Sequence, residues 1–281
     1  MKIIITSDST CDLSPELAKQ YNVGIIPLTV IKDDKAYLDN VTITPAEIFA
    51  HVAAGGDLCS TTAVSIGEYV DFFAPLAQEY DGVLHVNLGS GFSSSYQNAC
   101  LAAQEFDNVV AVDSQNLSTG QGLVVLKACE LAQSATSLQE LKEKLEAFTE
   151  KVETSFLVDK LEFLAKGGRC SSVAALGANL LGLKPCIEVK NGKMGVTKKY
   201  RGKYEKCLAT YAQEKLEGRD DLDLSMPLFI VQTKVSDECY TAVKGAVATY
   251  GKFDTVYEAV AGCTISCHCG PGTLGIIFVR K

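Results

Sequence analysis

Between residues 2 and 152 short apolar runs alternate with helices that carry their own start signals, and no other feature narrows the choice of fold as far. KIIITS (2–7), GIIPLTVI (24–31), GVLHVNL (82–88) and NVVAVD (108–113) read as strands. Between them lie helix starts. Ser14-Pro15 pairs a capping serine with a proline at the first helical position. Thr44 to Glu47 and Ser65 to Glu68 are capping boxes, and Ser137 with Glu140 opens a helix that runs to about Val152. Helical patterns also follow the third and fourth strands, in SSSYQNACLAAQEF and STGQGLVVLKACELAQ. Strand–helix alternation of this kind predicts a mostly parallel sheet covered by helices on both faces.

The second half breaks the pattern. SFLVD (155–159) is followed by LEFLAKGGR and a helical SSVAALGANLLG. In CIEVKNGKMGVTKKY, Asn191-Gly192 between two alternating runs is a hairpin signal. PLFIVQT, TVYEAVA and TLGIIFV read as further strands, with helices near 203–217 and 237–250. The expected fold class is α/β with two domains. Residues 1–152 form a mostly parallel sheet with flanking helices, and residues 153–281 form a mixed or antiparallel sheet with helices, the ligand lying between them.

Charge and cysteine content exclude several functions. The net charge of −8, with lysines and arginines scattered, leaves no basic stripe for a phosphate backbone, so nucleic acid is not the expected partner. The one local basic patch is KKYRGKYEK (198–206). No apolar run is long enough to cross a membrane, and MKIIITSDSTCD turns polar after four apolar residues, too soon for a signal peptide. The expected location is the cytoplasm. Most of the eleven cysteines are then small buried apolar residues rather than a disulfide framework. Cys267 and Cys269 flank His268 like a metal tract, but on a strand His268 would point away from both sulfurs. No metal and no cofactor are expected.

Three of the strands end in hydroxyl-rich loops: SDSTCD (7–12), GSGFSSS (89–95) and DSQNLSTGQG (113–122). Ligands of open parallel sheets sit outside the carboxyl ends of the strands, so these loops belong to one edge. Two of them lead into helices whose first amides lack intrahelical partners and so favour anions. Ser93 and Ser94 fall at one such start. Capping alone explains serines in these places equally well. The glycines do not form a Walker A loop, a GxGxxG fingerprint or a GxSxG elbow, which leaves anion binding as the common denominator. Three more residues stand beside turns or helix starts. Thr61 precedes a capped helix, Arg169 follows two glycines, and His268 precedes Gly-Pro-Gly. A solvated charge and a satisfied core histidine are the plain readings of the last two.

Taken in order, SDSTCDL, TTAVSIGEY, GSGFSSSYQNA, VDSQNLSTGQG, LEFLAKGGR and HCGPGTLG resemble the signature blocks of the DegV family, from residue 7 to 275. The resemblance implies two α/β domains with a long-chain fatty acid buried between them and its carboxylate at the hydroxyl loops. It also implies a protein without catalysis of its own. In bacteria some members carry the acyl chain for a separate fatty acid kinase, which converts the carboxylate to an acyl phosphate for phospholipid synthesis. The family's carboxylate-binding threonine and serine fall on Thr61 and Ser93, its arginine after Gly-Gly on Arg169, and its histidine before the glycine turn on His268. With Ser94 these make the expected head-group site, and Arg201 in the basic patch is a candidate to face the kinase. Two blocks depart from the family pattern. Ala63-Val64 stands for Gln-Pro, and GSGFSSS for Ser-Ser-Gly-Leu-Ser-Gly-Thr, which leaves chain preference open.

The energetics suit such a ligand. Burying the 14–16 methylenes of a C16–C18 chain yields roughly 11–13 kcal/mol gross at ~0.8 each. Ordering the ligand and desolvating its carboxylate take several back unless donors meet the charge. VAALGANLLGL (173–183) is a candidate wall for the tail. Two other readings fit the same residues: a serine esterase or thioesterase using Ser93 and His268, and a binder of a phosphorylated metabolite.

Overall fold

The strand Ile3–Asp8 (β1) sits second in a four-stranded sheet, flanked by Gly24–Ile26 (β2) and Gly82–Asn87 (β6), with Val109–Asp113 (β7) beyond. All three pairings are parallel. This computed structural model describes residues 1–170, 172 and 182–281. The apolar segment 173–183 and the helix expected across it lie outside the described residues, apart from positions 182 and 183.

Every residue of β6 is buried, as a central parallel strand requires. Ile66–Glu79 (α3) and Ser95–Ala103 (α4) pack together against β6, as do Thr119–Ala132 (α5) and Leu138–Thr149 (α6). The Ser14-Pro15 start opens Pro15–Gln20 (α1), and both expected capping boxes are present, at Thr44/Glu47 ahead of Pro45–Ala53 (α2) and at Ser65/Glu68 ahead of α3.

GIIPLTVI does not run as one strand. Gly24–Ile26 joins the parallel sheet, while Thr29–Lys32 (β3) joins a separate three-stranded antiparallel sheet with Lys35–Leu38 (β4) and Ser60–Thr62 (β5). Pro27 has no N–H for a ladder, and the Leu28 N–H donates to Ser9 Oγ at 3.0 Å instead.

The second half forms a six-stranded mixed sheet. Its order is Lys193–Arg201 (β10), Leu183–Lys190 (β9), Val152–Leu157 (β8), Leu274–Val279 (β13), Leu228–Gln232 (β11) and Val256–Val260 (β12). Only the β11–β12 pair is parallel among them. Asn191 and Gly192 turn the β9–β10 hairpin with φ of 50° and 68°, the left-handed pair such a turn needs. Residues of β13 alternate between two cores. Leu274, Ile276 and Phe278 pack with the helices Tyr204–Leu216 and Asp237–Tyr250. Ile277 and Val279 belong to the main core instead. That main core is organised by α5, which touches β1 and β6 on one side and β8 and β13 on the other. Between the two sheets every residue of α5 from Thr119 to Leu126 is buried, which explains the apolar run LVVL there, and only its C-terminal turns reach solvent.

Cys263–Cys269 is a helix, not the strand used in reading the cysteine–histidine tract. Cys267 packs with Val30, Ile43 and Phe49. All eleven cysteines are free and nine are buried.

Candidate functional site

All three hydroxyl loops lie at the carboxyl ends of β1, β6 and β7, on one edge of the parallel sheet. Two of them use their polar groups internally. In the first, Ser7 Oγ donates to Val86 O at 2.8 Å, and Asp8 accepts from the Leu88 and Gln121 side of the core at 2.8 and 3.0 Å. In the third, Ser114 is tied to Asn116 and Ser118 Oγ donates to Asp12 at 2.5 Å. Only the middle loop contributes a hydroxyl, that of Ser93, to the cavity described next.

The loop around Asp8–Asp12 has another task. Asp39 Oδ1 accepts from Cys263 N at 2.8 Å, and its Oδ2 accepts from Thr264 N at 3.2 Å and Ser9 Oγ at 2.9 Å. Asp12 Oδ1 accepts from Gly262 N at 2.8 Å. Two buried carboxylates thus receive the unpaired amides that open the helix Cys263–Cys269. Four residues into the helix from Thr264, His268 is aimed at β5. Its Nε2 lies 2.8 Å from Thr61 Oγ1, while its Nδ1 is buried without a partner among the described residues. A Cβ on Gly167 would come within 2.7 Å of that ring, so close approach requires glycine there.

Thr61 and His268 line a narrow cavity that opens to solvent, with about 50 Å³ of free space inside it. Ser93 and Arg169 complete the polar part of the wall, while Leu28, Leu88, Leu117 and Ile265 supply much of the apolar part. Thr264, which the sequence reading passed over, lines it too. A second, small space borders the first at Leu117, Ile265 and Cys269 and lies between α5 and the six-stranded sheet, beside Phe156, Val231 and Ile277. Together they are polar at one end and greasy at the other. The mouth opens between Gly91-Phe92 and the β9–β10 hairpin, with the cations of Arg169 and Lys193 at its rim.

The expected site residues therefore divide. Thr61, Ser93, Arg169 and His268 converge. Arg169 is held at the mouth, its Nη1 donating to Gly167 O at 2.8 Å and its Nε reaching Phe92 O at 3.5 Å. Ser94 is exposed just before α4, makes no side-chain cap and does not line the cavity. Arg201 is exposed at the far end of β10 from Lys193, about 26 Å along the strand at ~3.3 Å per residue. Among the described residues no group of His, Cys, Asp and Glu is placed to hold a metal ion.

Burial, reinforced by the nearby Arg169 charge, lowers His268 from 6.5 to about 4, and burial alone lowers His85 to about 3. Both are neutral at pH 7. The unfolded chain takes up these protons near pH 6.5 and the folded chain does not, so the two histidines withdraw stability as pH drops from 6.5 towards 4, while Asp12, pushed up to about 8 by burial, adds stability over the same range. In unfolding titrations the stability change of His268→Gln between pH 6.5 and 4 should be more favourable than the parent's by about 3 kcal/mol.

Residues 2–281 match the family model described as "Uncharacterised protein, DegV family". The chain belongs to the DegV family. A DegV domain-containing protein of Staphylococcus aureus (strain COL) is 32% identical over 283 residues, covering 100% of this chain and 99% of that one. Among solved structures, "Fatty Acid Binding of a DegV family Protein from Thermus thermophilus" is 30% identical with a TM-score of 0.90 and full coverage of both chains. A stearic acid-binding protein from Eubacterium ventriosum is 27% identical with a TM-score of 0.84, covering 99% of this chain and 98% of its own. The two solved structures are described as fatty-acid binders, and the α/β architecture is theirs as well. No helix among the described residues is long and apolar enough to cross a membrane.

Proposed function

We propose that this DegV protein binds one long-chain fatty acid. Its carboxylate sits at Thr61, Ser93 and His268 beside Arg169, and its tail passes Leu117 and Ile265 into the space under α5. Residues 1–152 and 153–281 act as two lobes around it. The observation that carries this reading is a polar cup at one end of an otherwise apolar cavity. Hydroxyl and guanidinium donors offset the cost of desolvating a carboxylate, and the apolar walls take up the methylenes. Neutral His268 fits the role. With its proton on Nε2 it donates to Thr61 Oγ1, which frees the threonine hydrogen for the ligand.

The geometry does not favour a serine hydrolase. Ser93 Oγ is bonded to Ser95 and not to His268, and His268 has no carboxylate on Nδ1. The protein on this reading is a carrier that presents the carboxylate to a separate fatty acid kinase for acyl-phosphate formation in phospholipid synthesis. Arg169 and Lys193 at the mouth then face the incoming phosphoryl group. The exposed Lys199 and Arg201 are docking contacts remote from the chemistry. Lys198 is already engaged by Glu214 at 2.6 Å.

The test uses palmitate, ATP and a fatty acid kinase of a DegV-containing bacterium. Lys199→Glu with Arg201→Glu should slow acyl-phosphate formation about tenfold or more while leaving palmitate affinity intact, as expected of rim charges that steer association. Unchanged turnover removes Arg201 from the interface, and failure of the unmodified protein to support turnover removes the kinase role.

A further inference from the structure

Hydroxyls in and beside the helix Cys263–Cys269 differ in one respect. Ser266 Oγ donates to Ala261 O at 3.2 Å, and Thr273 Oγ1 donates to Cys269 O at 2.9 Å. Thr264 is just as deeply set, at 3% exposed, yet its Oγ1 has no partner among the described residues. A buried polar atom left in that state is uncommon and costs stability.

The position of Thr264 says what could still pair with it. Among the described residues five buried side-chain polar atoms stand unpaired, and two of them, Thr264 Oγ1 and His268 Nδ1, belong to residues that line the head-group cavity. Thr264 and His268 are four apart on one helix and so share a face, and a helical side chain leans back over the turn before it. The imidazole that meets Thr61 at 2.8 Å therefore leans towards Thr264 as well. The Thr264 amide donates to Asp39 Oδ2 at 3.2 Å, which holds the residue in place. Leu28, Leu117 and Ile265, which line the same cavity, offer the hydroxyl no side-chain partner.

We propose that Thr264 is a third hydroxyl contact for the ligand's carboxylate. This role rests on the fatty-acid reading above and adds a residue to its head-group site. A carboxylate has about four acceptor positions on its two oxygens. Thr61, Ser93 and Arg169 account for three in that reading, so one is open to Thr264. A passing methylene leaves the hydroxyl unpaired, whereas a carboxylate oxygen satisfies it.

Thr264→Val keeps the shape of the side chain and removes only the hydroxyl, so it should act in opposite directions on the empty and the loaded protein. Without lipid the variant loses an unpaired buried group and should melt no lower than the parent. With lipid it loses a contact to a charge. In displacement of a fluorescent acyl probe from the full-length protein, palmitate affinity should fall about tenfold, and that of uncharged methyl palmitate less than about threefold. Thr264→Ser keeps the hydroxyl and should bind palmitate within about fourfold of the parent, the worth of one methyl group. A lipid-free Thr264→Val that melts lower than the parent shows that the hydroxyl already has a protein partner, and this overturns the proposal. Unchanged palmitate affinity, or equal losses for palmitate and its methyl ester, overturns it too while leaving the fatty-acid reading intact. An unmodified protein that binds no palmitate overturns that reading and the Thr264 contact with it.

Discussion

Replacing Thr61 by valine and Ser93 by alanine together should lower palmitate affinity at least about a hundredfold, since each hydrogen bond to a charged group is worth about 1.5–3 kcal/mol. The two hydroxyls belong to different elements, Thr61 to β5 and Ser93 to the loop before α4. Each is already partnered by a residue of the protein, His268 for the threonine and Ser95 for the serine. The loss should therefore come from the ligand and not from collapse of the site. Neither residue is in the apolar core, so the melting temperature of the ligand-free variant should stay close to the parent's. Single substitutions should each cost about tenfold. Displacement titration of the purified variants checks this, and an affinity within twofold of the parent would show that the carboxylate lies elsewhere.

Asp39→Ala should be the most damaging single change outside the apolar core, with a loss of about 3–5 kcal/mol of folding stability. Asp39 is 1% exposed and satisfies three donors, the amides of Cys263 and Thr264 and the hydroxyl of Ser9. Alanine leaves all three buried and unpaired. Asp39→Asn should recover less than half of the loss, because an amide nitrogen would then face donors where an acceptor is needed. The helix so anchored carries His268, which gives the variant a second signature: palmitate binding should weaken even under conditions where the protein remains folded. Urea titration measures the first effect. A loss below about 1 kcal/mol, the ordinary value for an exposed site, would show that the helix is held by packing alone.

Much of the architecture was legible because it rests on local chemistry. Thr44-Pro45-Ala46-Glu47, Ser65 to Glu68 and Asn191-Gly192 each fix a backbone geometry over four residues or fewer, and the structure contains all three devices. The split of GIIPLTVI was less visible. Pro27 was in plain sight, but Leu28 finds its partners, Ser9 and Asp39, elsewhere in the chain. The small sheet had no signal in β5, which is three residues long. Its turn at Asp33-Asp34, with φ of 50° and 59°, was the cue that β4 pairs with β3.

The site was legible as residues and not as a geometry. Thr61, Ser93, Arg169 and His268 could be named singly from their places beside turns and helix starts. Their meeting depends on the helix Cys263–Cys269 docking on Asp12 and Asp39, contacts that span more than two hundred residues. The reading of three hydroxyl loops as anion seats assigned too much to two of them. A serine in a loop looks the same whether its hydroxyl turns to a ligand or to its own backbone, and only the partner distances separate the cases. Ser94 was expected in the site for its place in the loop. It is exposed there, while its neighbour Ser95, buried behind Ser93, supplies the contacts.

The most direct test of the central claim is native mass spectrometry of the protein purified without added lipid, followed by extraction and identification of what it carries. A single adduct of about 250–290 Da, released as a C16–C18 fatty acid and absent from the Thr61→Val, Ser93→Ala variant, is the predicted result for a largely enclosed ligand of this size. A protein that flies without an adduct and takes up no long-chain acid on incubation would contradict it.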